Sequence, residues 1–386
     1  MEMNDKNNET KNVEITAEPI PETADPASEP VAIEPETPTA EPASEPVETP
    51  TATIPAIPPA KIKKHFSKIG WVFLLQSLLM FGLQMLLLRV IQVLAPGIGA
   101  NYDMVLVLVT IGTYLITIPL MVRLLKNVPK TEIPVQKMKF VQWVVAFLMS
   151  YTLMYVSNLL GLYVTNFIGN VTGTPVENPV SLALENTSPW AAMIVMVIVA
   201  PLVEEYIFRK LLVDRVVVYG EGVAVVLSGL MFGAMHGNLN QFAYAFGLGC
   251  FFAFIYLKTG KLRYSIFLHA AINFMGSVPG LLVMNSDAFE AINNVGDSVE
   301  EVAALMQQHG AMVMGIYLYT ILAGILVVAG LVFWILKRKK LKCAPGLFQE
   351  MGMRNGKKLA IMVVNAGMIC YFLFWIVQMI QQVLGL

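Results

Sequence analysis

PWAAMIVMVIVAPLVEEYIFRKLLVDRVVV, residues 189–218, is apolar for its first fifteen positions and then sets Glu204, Glu205, Arg209 and Lys210 into the run. About 20 apolar residues in a helix cross a hydrocarbon core of ~30 Å, so this segment reads as a transmembrane helix with charge near its middle. A charged side chain at mid-bilayer costs at least ~2.5–3.5 kcal/mol on insertion scales, and such residues default to functional candidates. The rest of the chain must shelter them from lipid.

It is well supplied with material to do so. Of 386 residues, 56% are hydrophobic and 14% charged, and mean hydropathy is +0.63. A soluble domain runs nearer 45–50% apolar and about 25% charged, so an ordinary soluble enzyme is excluded. Nine apolar runs stand out, near 69–94, 103–125, 140–165, 189–218, 222–239, 241–257, 264–284, 311–336 and 359–384. The expected fold is all-α: a polytopic membrane bundle of about nine transmembrane helices, or eight if one of the short fifth and sixth runs does not cross.

The net charge of −1 hides a division. Residues 1–60 hold 13 acidic and 2 basic side chains, a net of −11, and the body, 61–386, has a net of +10. Residues 1–60 also contain 12 of the 22 prolines and repeat PASEPV at 26–31 and 42–47. Proline blocks helix ladders and like charges repel, so the expectation is a disordered acidic cytoplasmic tail, with a docking motif for a membrane regulatory partner as the minor alternative. The N-terminus lacks a positive region followed by an apolar one, so no cleavable signal peptide is expected. Cys250, Cys343 and Cys370 are far apart and form no C-x-x-C pair, which suggests neither a disulfide framework nor a zinc knuckle.

Basic residues orient the body. Lys61–Lys68, Arg123–Lys139, Lys258–Arg263 and Lys337–Lys358 bring positive charge to alternate connections, whereas 95–102, 166–188 and 285–310 have no Lys or Arg. The expected topology has the N-terminus in the cytoplasm and the C-terminus outside, in the plasma membrane. The lysines need only topology and anionic lipid headgroups to explain them, and no nucleic-acid motif or phosphate loop is visible.

The polar residues left inside spans are few. Glu205 and Arg209 stand at i, i+4 with the acid N-terminal, the favourable order for a helical ion pair. Glu204 points about 100° away and lacks such a partner, which leaves it free to act on a proton. His236 follows Phe232 by four, on a helix where Gly229, Gly233 and Gly237 make a small-residue stripe, so it should face a neighbouring helix. His269 and Asn273 share one helical face. Taken singly, each pattern also suits structural glue between helices. His65 and His309 lie in polar flanks where solvation is expected, and Arg89 should snorkel to the outer surface.

In order, E-E-x-x-x-R (Glu204, Glu205, Arg209), F-x-x-x-H (Phe232, His236) and H-x-x-x-N (His269, Asn273) resemble the motifs of the CPBP family. These are the CAAX proteases and bacteriocin-processing (Abi) enzymes, with the Ras-converting CAAX endopeptidases as eukaryotic relatives. The resemblance covers roughly 140–285. It implies a helical cavity open toward the cytoplasmic side, with Glu204 as the base that activates water and His236 holding that water. It further implies that His269 and Asn273 bind the oxyanion or orient the water, and that Glu205 with Arg209 supports them. The implied function is an intramembrane endopeptidase acting on a membrane-embedded or lipidated peptide in the bilayer. The alternatives are a catalytically silent scaffold or regulator, or a bacteriocin self-immunity protein; a transporter ranks third. Members are often named metalloproteases, and Glu204, His236 and His269 would be the zinc set, although a glutamate–water course uses the same residues without an ion and no H-E-x-x-H is present.

Overall fold

The computed structural model describes residues 57–296 and 298–385, and among them every regular element is helical. The repeats and acidic cluster of the tail lie outside the described residues. All nine apolar runs are helices: α1 (Pro59–Leu94), α2 (Tyr102–Leu125), α3 (Phe140–Thr172), α4 (Pro189–Tyr219), α5 (Glu221–Met235), α6 (Leu239–Thr259), α7 (Leu262–Met284), α8 (Val299–Lys337) and α9 (Ala366–Leu384). Eight are long and apolar enough to span a membrane; α5, with 15 residues, is not. The chain is an integral membrane protein.

Several boundaries moved for local reasons. α1 begins ten residues before the expected span, so Lys61–Lys68 continue its helix. His65 is not simply solvated: its Nε2–H donates to the Arg215 carbonyl at 2.8 Å. The final run, expected as one span from 359, is two helices, Asn355–Val363 and α9. Asn365 divides them. Its side-chain oxygen accepts from the Met368 N–H at 3.1 Å, while its amide donates back to the Met362 carbonyl at 2.9 Å.

The lysine-bearing connections collect at one end of the bundle. There Thr131 N–H donates to the Asp214 carbonyl (2.6 Å) and Gln136 N–H to that of Thr259 (2.8 Å). Ala344 N–H meets the Glu221 carboxylate at 2.6 Å, and Gly367 N–H meets Ser67 Oγ at 3.1 Å. At the other end Ser188 N–H donates to Asp103 Oδ1 (3.0 Å) and Gln382 to the Glu177 carbonyl (2.8 Å). The partition read from charge alone is therefore a spatial one.

α5 and α6 form a hairpin whose helices approach closely. A Cβ on Gly229 would overlap Cys250 Sγ and come within 2.8 Å of the Phe246 carbonyl. Gly233 makes the same approach one turn on, but Gly237 is not part of the stripe: it sits at φ +65° just past the end of α5 and turns the chain toward α6. Asn238 then accepts from the Gln241 N–H at 2.9 Å and starts α6. His236 is thus the C-cap of a short helix, and that location decides what it faces.

Gly229→Leu must push the hairpin apart. Overpacking a tight site costs about 1–3 kcal/mol, and the displaced group here includes backbone. Gly82→Leu meets nothing within 4 Å and should stay within about 0.5 kcal/mol of wild type. Thermal unfolding of the two variants in one detergent checks the contrast; equal melting temperatures would refute the close approach.

Candidate functional site

α4 does not keep one helical geometry. It is π-helical over Met193–Val199, α-helical over Ala200–Glu205, and π-helical again over Tyr206–Val213. π-turns inside α-helices are rare and concentrate at functional sites. The two glutamates sit on the α-turns between the two defects. The Glu205–Arg209 pair forms across the second junction rather than along a regular helix.

Glu205 and Arg209 are fully buried. Glu205 Oε1 accepts from Arg209 Nη2 at 3.0 Å, and Oε2 lies 2.9 Å from Nε, a close charge contact that is not aligned as a second hydrogen bond. Arg209 Nη1 donates to Ser228 Oγ of α5 at 3.0 Å, and its guanidinium lies 5.1 Å from the Phe232 ring centroid. Two buried charges are tolerable in lipid only with this degree of pairing.

His269 of α7 closes the arrangement. Its Nδ1 is 3.1 Å from Glu205 Oε1. A paired carboxylate only accepts, so Nδ1 carries the proton, and Nε2 is left facing Glu204 Oε2 at 3.8 Å. Glu205 therefore fixes the ring and tautomer of a histidine whose other nitrogen addresses the second glutamate. His236 is fixed comparably, with Nδ1–H donating to the Phe232 carbonyl at 2.8 Å and Nε2 left unengaged by that bond.

Glu204 and His236 line a cavity of about 460 Å³, within the ordinary range for ligand sites. The Glu204 side chain keeps 13% of its exposure, against none for Glu205. Of the six residues singled out from the sequence, these two reach the cavity. Glu205, Arg209 and His269 stand behind Glu204. Asn273 is turned elsewhere: its amide donates at 2.8 Å to the carbonyl of Met196, within the first π stretch.

The rest of the wall comes from residues that sequence reasoning passed over. Tyr114 of α2, Gln84 of α1, and Trp375, Gln378 and Gln381 of α9 all contribute. Three glutamines clustered late in an apolar run were a visible signal, but a search for intramembrane charge overlooks carboxamides. The lining also has a position along the bundle. Gln382 and Pro179, both part of it, belong to the end away from the lysine-rich connections.

The donors named for zinc do not form a set. Phe232 packs edge-on against both imidazoles, at 4.9 Å from His236 and 5.7 Å from His269. Among the described residues no three His, Cys, Asp or Glu side chains are grouped to hold a metal.

No curated protein and no solved structure matches the chain. Residues 186–275 match one family model, described as "Rce1-like: Type II CAAX prenyl endopeptidase Rce1-like". That segment runs from the start of α4 into α7 and holds all three motifs, while α8 and α9, with the cavity-lining glutamines of α9, fall outside it. Over this core the chain is similar to the type II CAAX prenyl endopeptidases that the family model describes.

Proposed function

We propose that the protein is an intramembrane endopeptidase that hydrolyses a peptide bond in a membrane-anchored or lipidated polypeptide, with Glu204 as the general base. The observation that carries this reading is the unequal fate of two adjacent glutamates. Glu205 is consumed by Arg209 and His269, whereas Glu204 faces the cavity beside His236.

Peptide hydrolysis asks for a base near water and for donors where negative charge develops. In this reading a water lies between Glu204 and His236. Neutral His236 accepts one of its hydrogens at Nε2, while Glu204 removes the other as oxygen attacks the carbonyl carbon. The proton held by Glu204 then passes to the leaving amine as the C–N bond breaks. His269, aligned by Glu205, is a positioning residue that stands behind Glu204, with Nε2 3.8 Å from its Oε2. Asn273, expected from the resemblance to serve the oxyanion, acts here as a positioning residue that fastens the π-helical carbonyl of Met196. The carboxamides of the cavity wall, Tyr114 and the Trp375 indole N–H are neutral donors for the oxyanion. No step in this course runs through zinc.

Two substitutions of neighbouring residues should behave oppositely. Glu204→Gln is expected to lower cleavage by about 10²–10⁴-fold with unfolding unchanged. Glu205→Gln uncouples a buried ion pair and should destabilise the fold by about 3–5 kcal/mol. Mass spectrometry of membranes expressing each chain, looking for a peptide that accumulates uncut, reads the first; thermal melting reads the second. Full cleavage by Glu204→Gln would leave the scaffold or immunity reading in possession. Purified protein treated with EDTA should keep its activity on a vesicle-anchored peptide library, and loss restored by Zn²⁺ would reinstate the metal-assisted course.

A further inference from the structure

We infer that the Glu204–His236 cavity takes its substrate from the extracytoplasmic face, so that the substrate is a membrane-anchored polypeptide whose cleavable segment is exposed there. The substrate class rests on the peptidase reading above; the direction of access does not.

Three observations converge. The lining reaches the lysine-free end: Gln378, Gln381 and Gln382 occupy the last turns of α9, and Gln382 is tied to the Glu177 carbonyl in the 166–188 connection. The other side is packed with aromatic rings. One or two turns toward the lysine end from Met80, Glu204, His236 and Gln378 stand Phe73, Phe208, Phe232 and Tyr371. These four are at most 2% exposed. They touch in series, Tyr371 to Phe73 at 6.1 Å, Phe73 to Phe208 at 5.6 Å and Phe208 to Phe232 at 5.2 Å between ring centroids. A run of packed aromatic rings on α1, α4, α5 and α9 therefore lies between the cavity and the lysine end. Finally, lysine and arginine concentrate in cytoplasmic connections, and the three connections at the Gln382 end, 95–102, 166–188 and 285–310, contain none.

The wall chemistry agrees with an internal segment rather than a chain end. Its described lining residues include no lysine or arginine to receive a terminal carboxylate, and they offer carboxamides that can donate to and accept from an extended backbone.

The test is side-specific labelling of the full chain in intact cells. One variant carries Gln381→Cys with Cys250, Cys343 and Cys370 changed to Ser; the other retains Cys343, exposed at the lysine end, as its sole cysteine. A membrane-impermeant maleimide added outside should label Gln381→Cys, and should reach Cys343 after permeabilisation alone. Labelling of Gln381→Cys restricted to permeabilised cells, or absent in both, overturns the inference. Cleavage is not the readout, so the two readings fail separately. External labelling together with undiminished cleavage by Glu204→Gln would remove the peptidase and leave the outward cavity standing.

Discussion

The buried pair of Glu205 and Arg209 is the constraint around which the membrane body is arranged. Neither ion could remain in lipid alone, so each must find its remaining partners on other helices. Arg209 reaches Ser228 on α5 and Glu205 reaches His269 on α7, and these bonds fix the depth and rotation of both helices relative to α4. The same bonds leave Glu204 as the carboxylate with space before it. Structure and chemistry are coupled here by subtraction: the saturation of one glutamate defines the availability of its neighbour.

Much of this was legible from residue order. The apolar runs gave every long helix because hydrophobic length is a property of composition. The charge partition gave the two ends of the bundle. The three motifs gave most of the residues that meet, since polar groups in lipid have few options except one another, although Asn273 turns to the Met196 carbonyl instead. Three features were not legible. The π stretches of α4 leave no periodic signature distinguishable from an apolar α-helix. The break at Asn365 depends on one side chain bonding in two directions. The turn after His236 looked like a third step in a glycine stripe, and only the positive φ of Gly237 shows otherwise.

The cavity wall on α9 is a subtler omission. Its glutamines lie more than a hundred residues from the motifs and outside the segment shared with the family. A site assembled from a common core plus a separate helix can keep its chemistry while changing what it admits. The core holds the carboxylate and histidines; α9 shapes the approach to them.

The π-helical stretches of α4 carry one more consequence. Each holds a surplus of chain relative to an α-ladder, so the azimuth of Glu204 depends on a residue count rather than on lateral packing alone. Removing a single residue from Met193–Val199 would relax that defect into an ordinary helix and swing the N-terminal half of α4 by about 100° relative to the glutamates. The Met196 carbonyl would leave Asn273, and the apolar face now turned to lipid would rotate into the bundle. For this helix, length is a form of aim, and insertions or deletions are more consequential than substitutions along the same stretch.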